Sequence, residues 1–137
     1  MTLYTHTESE NAMAQELLKA ITWADGERIR ALCAEGVELQ VPGARVVDLT
    51  ARRKGADALA AWAEEINGAC GRTSFAMHRY FENGCELMAS GTIHIQRHPR
   101  TFSSPCSIFV RFEAGKIVLF QLLLDTSALE RFRGQMD

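Results

Sequence analysis

A chain of 137 residues, 47% hydrophobic and 23% charged, has the size of one domain and the composition of a globular protein that can bury a core. Its net charge of −2, from 15 basic and 17 acidic residues mixed along the chain, argues against a nucleic-acid or anionic-membrane surface, since both require a positive excess. No apolar run approaches the roughly 20 residues of a membrane span, and MTLYTHTESENAMAQELL lacks the basic start and apolar stretch of a secretory leader, so a cytoplasmic location is expected.

Thr7 followed by Glu10 has the form of a capping box. Beyond it Met13, Leu17, Ile21 and Ala24 recur at helical spacing. Asp25-Gly26 breaks this helix, and Asp25 can cap a second one whose apolar face is Ile29, Leu32 and Cys33, with Gly36 as terminator. Val37-Glu38-Leu39-Gln40-Val41 alternates strictly, which predicts a strand that turns Val37, Leu39 and Val41 inward and ends at Pro42-Gly43. A short return strand is expected at residues 45–49, then a solvated basic loop at 51–54, then a helix over 56–67 with Leu59, Trp62, Ala63 and Ile66 on one side.

After Gly68 and Gly71 the pattern becomes one of strands, at residues 74–81, 85–97, 101–112 and 116–124, with turns at Asn83-Gly84, His98-Pro99 and Ala114-Gly115. A last short helix is expected at 127–132. Helices followed by a strand meander imply an α+β fold, with three helices from the N-terminal half packed on one face of a curved antiparallel sheet, as a single domain spanning 1–137. The last strands are apolar on both faces: Val118, Phe120, Leu122 and Leu124 on one, Leu119 and Leu123 beside Gln121 on the other. A second copy related by a twofold axis would cover the outer face; the alternative is a monomer with a greasy back.

Three stretches, A-L-C-A-E-G-V-E-L-Q-V-P from Ala31, G-A-D-A-L-A-A-W from Gly55 and F-E-A-G-K-I from Phe112, taken in their order, resemble the NTF2-like (cystatin-like) superfamily. That group includes SnoaL-like polyketide cyclases, ketosteroid isomerases and limonene epoxide hydrolases. The resemblance implies a cone whose bent sheet wraps a long helix around a mostly apolar pocket, and a homodimer through the outer sheet face. On it, the pocket would be lined by Leu17, Val41, Trp62, Ser90, Thr92, Ile108, Val110, Phe120 and Leu122.

The ketosteroid isomerase base, tyrosine donor and protonated acid would fall on Val41, Leu17 and Ile108, and the epoxide hydrolase carboxylate on Leu122. None of these can move a proton or hold an oxyanion. The remaining catalytic candidates are His94, put by the resemblance on the pocket face with Ser90 and Thr92, then Asp125, which can equally cap the last helix, and His78, whose strand has no readable facing. Phe75, Met77 and Phe81 compete there with Ala76 and Tyr80 for the inside. His98 reads as a turn residue and His6 as a tail residue.

No cofactor is implied. His94 and His98 do not have metal-ligand geometry on a strand, and neither a phosphate loop nor a G-x-S-x-G motif occurs. Cys33, Cys70, Cys85 and Cys106 form no C-x-x-C pair and read as buried free thiols. Two functions are compatible with these residues. One is a binder of a small hydrophobic molecule, with cofactor-independent acid–base chemistry on an apolar cyclic substrate as its enzymatic form. The other is a ligand carrier or dimerisation module that has lost the family's catalytic acids.

Overall fold

The computed structural model describes residues 2–43 and 52–134, with side chains from Glu10 onward. Helix α1 (Thr2–Thr22) buries Ala14, Leu17, Leu18 and Ile21 along one stripe. It starts well before the expected cap, so Thr7 stands inside the helix. Asp25 caps α2 (Gly26–Leu32) as anticipated, its Oδ1 accepting the Arg28 N–H at 3.1 Å. The chain then enters β1 (Cys33–Gln40) directly, which places Gly36 within the strand and not at a helix end.

Val37 and Leu39 turn inward, and Val41 is buried just past the strand. The return strand expected at 45–49 lies outside the described residues. The expected basic loop is, over Arg52–Lys54, an antiparallel edge strand, β2, with Arg53 opposite Leu39. Its physical basis is the Arg53 guanidinium, which is only 16% exposed and donates to both carboxylate oxygens of Glu65 at 2.9 and 2.5 Å. Glu65 belongs to α3 (Ala56–Ala69), and the hydrogen bond from Arg53 holds its carboxyl below the usual range.

Strands β3 (Arg72–Asn83), β4 (Glu86–Arg97), β5 (Arg100–Glu113) and β6 (Lys116–Leu124) form an antiparallel meander. The full order is β2-β1-β6-β5-β4-β3, and β1 runs parallel to β6. The sheet is therefore mixed, where an antiparallel one was expected. Parallel neighbours need a long connection, and here β2, α3 and three strands of the meander lie between them.

Register shifts occur between Cys33 and Glu38, between Met77 and Arg79, and between Arg111 and Phe112, opposite Val118. Each such bulge bends its strand and adds twist, which suits a sheet that must curl around α1 and α3. Asn67 ties the layers together: its amide donates to the carbonyls of Ile21 and Ala63 at 2.9 and 2.7 Å, and its oxygen accepts the Thr73 N–H at 3.0 Å. Helix α4 (Thr126–Gly134) buries Leu129 and Phe132, the latter 5.5 Å from the Phe102 ring.

Cys33, Cys70 and Cys106 are buried free thiols, as anticipated, whereas Cys85 is exposed at the β3–β4 turn. Burial pushes Cys33 up to about 12 and Cys106 up to about 11, and it raises Cys70 as well. Ellman's reagent at pH 8 is therefore expected to titrate Cys85 alone in the native protein and all four cysteines in denaturant. Rapid native reaction of a second thiol would contradict the packing.

The sign of the linked stability follows from the same shift. The unfolded Cys33 thiol ionises near 9.0 and the folded one only near about 12. Its contribution is full below pH 9.0 and is lost as pH rises through that window.

Candidate functional site

Residues directly opposite across a ladder share a face, so the register sorts every strand residue. The concave face carries the row Tyr80, Ala89, Ile108, Leu122 and the row Leu87, Val110, Phe120, Leu39. Leu17, Val41, Trp62, Ile108, Val110, Phe120 and Leu122 are each at most 4% exposed and belong to one continuous core. Of these seven, Val41 lines a surface depression, which it shares with Gln40, Pro42, Arg52 and Gln121.

Ser90, Thr92 and His94 take the opposite facing to the expected one. The buried set of β4 is Leu87, Ala89, Ile93 and Ile95, so alternation turns the three polar residues to the outer face. The residue pattern itself signals this: every odd position from Leu87 to Ile95 is apolar or glycine. His94 Nδ1 lies 2.9 Å from Ser103 Oγ, its exposed cross-strand neighbour.

The two readings of β3 are both right, one on each side of its bulge. Phe75 and Met77 pack on the core before it, Tyr80 after it, and Phe81 then points outward. His78 sits at the bulge and is exposed. Asp125 acts as a cap: its Oδ1 accepts the Ala128 N–H at 2.9 Å, and its own N–H donates to Ser104 Oγ at 3.1 Å. Among the described residues no hydrogen bond joins any two of His78, His94 and Asp125.

Two depressions have coherent chemistry. Between α1 and β3 lies a groove of about 240 Å³ lined by Gln15, Leu18, Phe75, Met77 and Tyr80, with Glu16 and Lys19 also on its α1 side. Burial raises the Tyr80 phenol above its ordinary value, so it stays a neutral donor at physiological pH. On the outer sheet face a wider depression of about 530 Å³ is lined by His78, Arg79, Ser90, Pro105, Ser107 and Leu123. Arg79 and Ser107 do not stand out in the sequence. The one available signal is the change of apolar parity between Met77 and Tyr80, which marks the bulge.

Among the described residues no cluster of His, Cys, Asp and Glu is placed to hold a metal ion, and no described helix is long and apolar enough to cross a membrane.

The model of the SnoaL-like domain family matches residues 14–120 of this chain. An NTF2-like protein of unknown function from Burkholderia pseudomallei superposes with a TM-score of 0.80 at 21% identity, covering 90% of this chain and 96% of that one. An LEH-like epoxide hydrolase from Mycobacterium tuberculosis superposes with a TM-score of 0.74 at 15% identity, covering 93% and 91%. TerC, co-crystallised with polyporic acid, gives a TM-score of 0.78 at 16% identity, covering 92% and 98%. These likenesses establish a common fold. No curated protein matches the chain.

Proposed function

Because the chain belongs to the SnoaL-like domain family, whose fold is shared by enzymes such as an epoxide hydrolase, we propose that this member is a non-catalytic module that pairs with a second copy of itself through the outer face of its sheet. Acid–base catalysis inside the cone needs a titratable group in reach of the reacting bond. The positions where relatives would carry one are Leu17, Val41, Ile108 and Leu122, all buried among apolar neighbours. His94, the strongest remaining candidate, lies on the other side of the sheet.

The observation that carries the pairing is the outer face itself. Phe81, Met88 and Leu123 are 57%, 48% and 46% exposed, and Trp23 is the only other large hydrophobic so exposed among the described residues. Phe81, Met88 and Phe109 lie opposite one another in one row, and Leu123 stands in the next. A twofold contact buries the same patch twice, which suits a compact apolar stripe. The free, buried thiols favour a reducing compartment, hence the cytoplasm.

Sedimentation tests the pairing. The wild type is expected to run as a dimer and Leu123→Lys as a folded monomer, because the substitution puts an unpaired charge into the contact. A wild-type monomer, or a variant of unchanged mass, would sink it. A second reading, carriage of a small apolar molecule, is favoured by the groove of about 240 Å³ between α1 and β3. Its walls are Leu18, Phe75 and Met77, with the neutral Tyr80 phenol as a polar anchor.

A further inference from the structure

Strand β3 has one residue too many. Met77 pairs with Gly91 and Arg79 with Ser90, and His78 between them has no partner in the ladder. The cause is visible at Gly91, where a Cβ would overlap the Ala76 carbonyl oxygen and stand 2.6 Å from the Met77 Cα. The two backbones meet too closely there for a regular pleat, and the extra residue takes up the mismatch. A bulge of this kind sets two successive residues against one on the neighbouring strand and re-aims their side chains.

The consequence is a cluster of donors. His78 and Arg79 are both exposed and line the same depression of about 530 Å³, with Ser90 and Ser107 beneath them and Pro105, Leu123 and Leu124 as apolar walls. Arg79, Ser90, Ser107 and Leu123 form one row across four strands. No carboxylate lines the depression.

Arg28, Arg30, Arg53 and Arg111 each reach a carboxylate. Arg79 makes no hydrogen bond or ion pair among the described residues. A guanidinium fork, two hydroxyls and an imidazole, with no facing acid, can satisfy an acceptor-rich, negatively charged group and little else.

We propose that this depression binds a small oxyanion, a carboxylate or a phosphate, gripped by the Arg79 guanidinium and oriented by Ser90, Ser107 and His78. The volume suits a metabolite-sized molecule, and the apolar walls would meet its carbon skeleton. The site is complete within one chain, so it does not depend on the pairing proposed above, although it lies on the same sheet face and shares Leu123 with it.

Titration of the 137-residue chain with inorganic phosphate and, separately, succinate, followed by backbone amide shifts, tests the assignment. Saturable shifts are expected at residues 78, 79, 90 and 107, and Arg79→Ala should weaken the binding at least about tenfold. Since Arg79 is exposed, the variant is expected to fold. Arg79→Lys separates the two ligand classes: it keeps a point charge for phosphate but loses the planar fork that a carboxylate uses.

Absence of saturation by about 50 mM of either anion, or an affinity unchanged in Arg79→Ala, overturns the proposal. Sedimentation of the same samples keeps it distinct from the pairing. A monomer that saturates supports the site and refutes only the dimer, whereas a dimer that fails to saturate refutes the site.

Discussion

Gly91→Ala is expected to destabilise the protein by about 3 kcal/mol, which for a domain of this size lowers the melting temperature by roughly 10 °C. A single methyl has this effect because of what it would meet. The obstructing atoms are the Ala76 carbonyl oxygen and the Met77 Cα at 2.6 Å, and both are backbone. A flexible side chain could swing away; a paired strand cannot move without parting from its neighbour.

Gly68→Ala is the matched control. Gly68 lies in α3 with nothing within 4 Å of the position a Cβ would take, so the same methyl should stabilise by about 0.5–1 kcal/mol through helix propensity. Thermal melts of both variants check the pair. An undiminished melting temperature for Gly91→Ala would mean that β3 and β4 do not approach as described.

Trp62→Ala is expected to cost about 4 kcal/mol, read as a lowered urea midpoint at unchanged slope. Trp62 is fully buried and heads the largest fully buried side chains, among the core residues where the resemblance implies a pocket wall. The two roles predict different losses. A side chain that fills the core leaves a cavity behind when truncated, whereas one that lines an open pocket gives up few contacts. A loss below about 1 kcal/mol would restore the open-pocket picture. A large loss that benzene partly reverses would show a dry, ligand-sized void created by the substitution.

The elements could be read from residue periodicity, but their facings only where nothing interrupts the pleat. Helices α2 and α3 and the four meander strands stand close to where capping, spacing and turn residues put them, because each is coded locally. The facing of β4 was also locally coded, in Leu87, Ala89, Ile93 and Ile95, yet the family resemblance pointed the other way and misplaced Ser90, Thr92 and His94.

Bulges are the harder matter. Whether His78 or Tyr80 faces inward depends on how closely β3 crosses Gly91, a tertiary fact with no local signature beyond a break in apolar parity. The basic run Arg52-Arg53-Lys54 looked like loop because its partner, Glu65, lies a helix away. Asp125 shows the converse, since its capping bond to Ala128 follows directly from the local sequence.

The parallel pairing of β1 with β6 also sets when the molecule can be completed. Leu39 lies beside Phe120 and Gln40 beside Gln121, so during synthesis β1 waits for a strand made after α3 and the rest of the meander. Until Lys116–Leu124 has left the ribosome, β1 and the edge strand β2 have no sheet to join, and Val37 and Leu39 have no floor beneath them. Assembly of this sheet is therefore gated by β6. A chain that stops short of the final strand loses the sheet's first two strands along with its last.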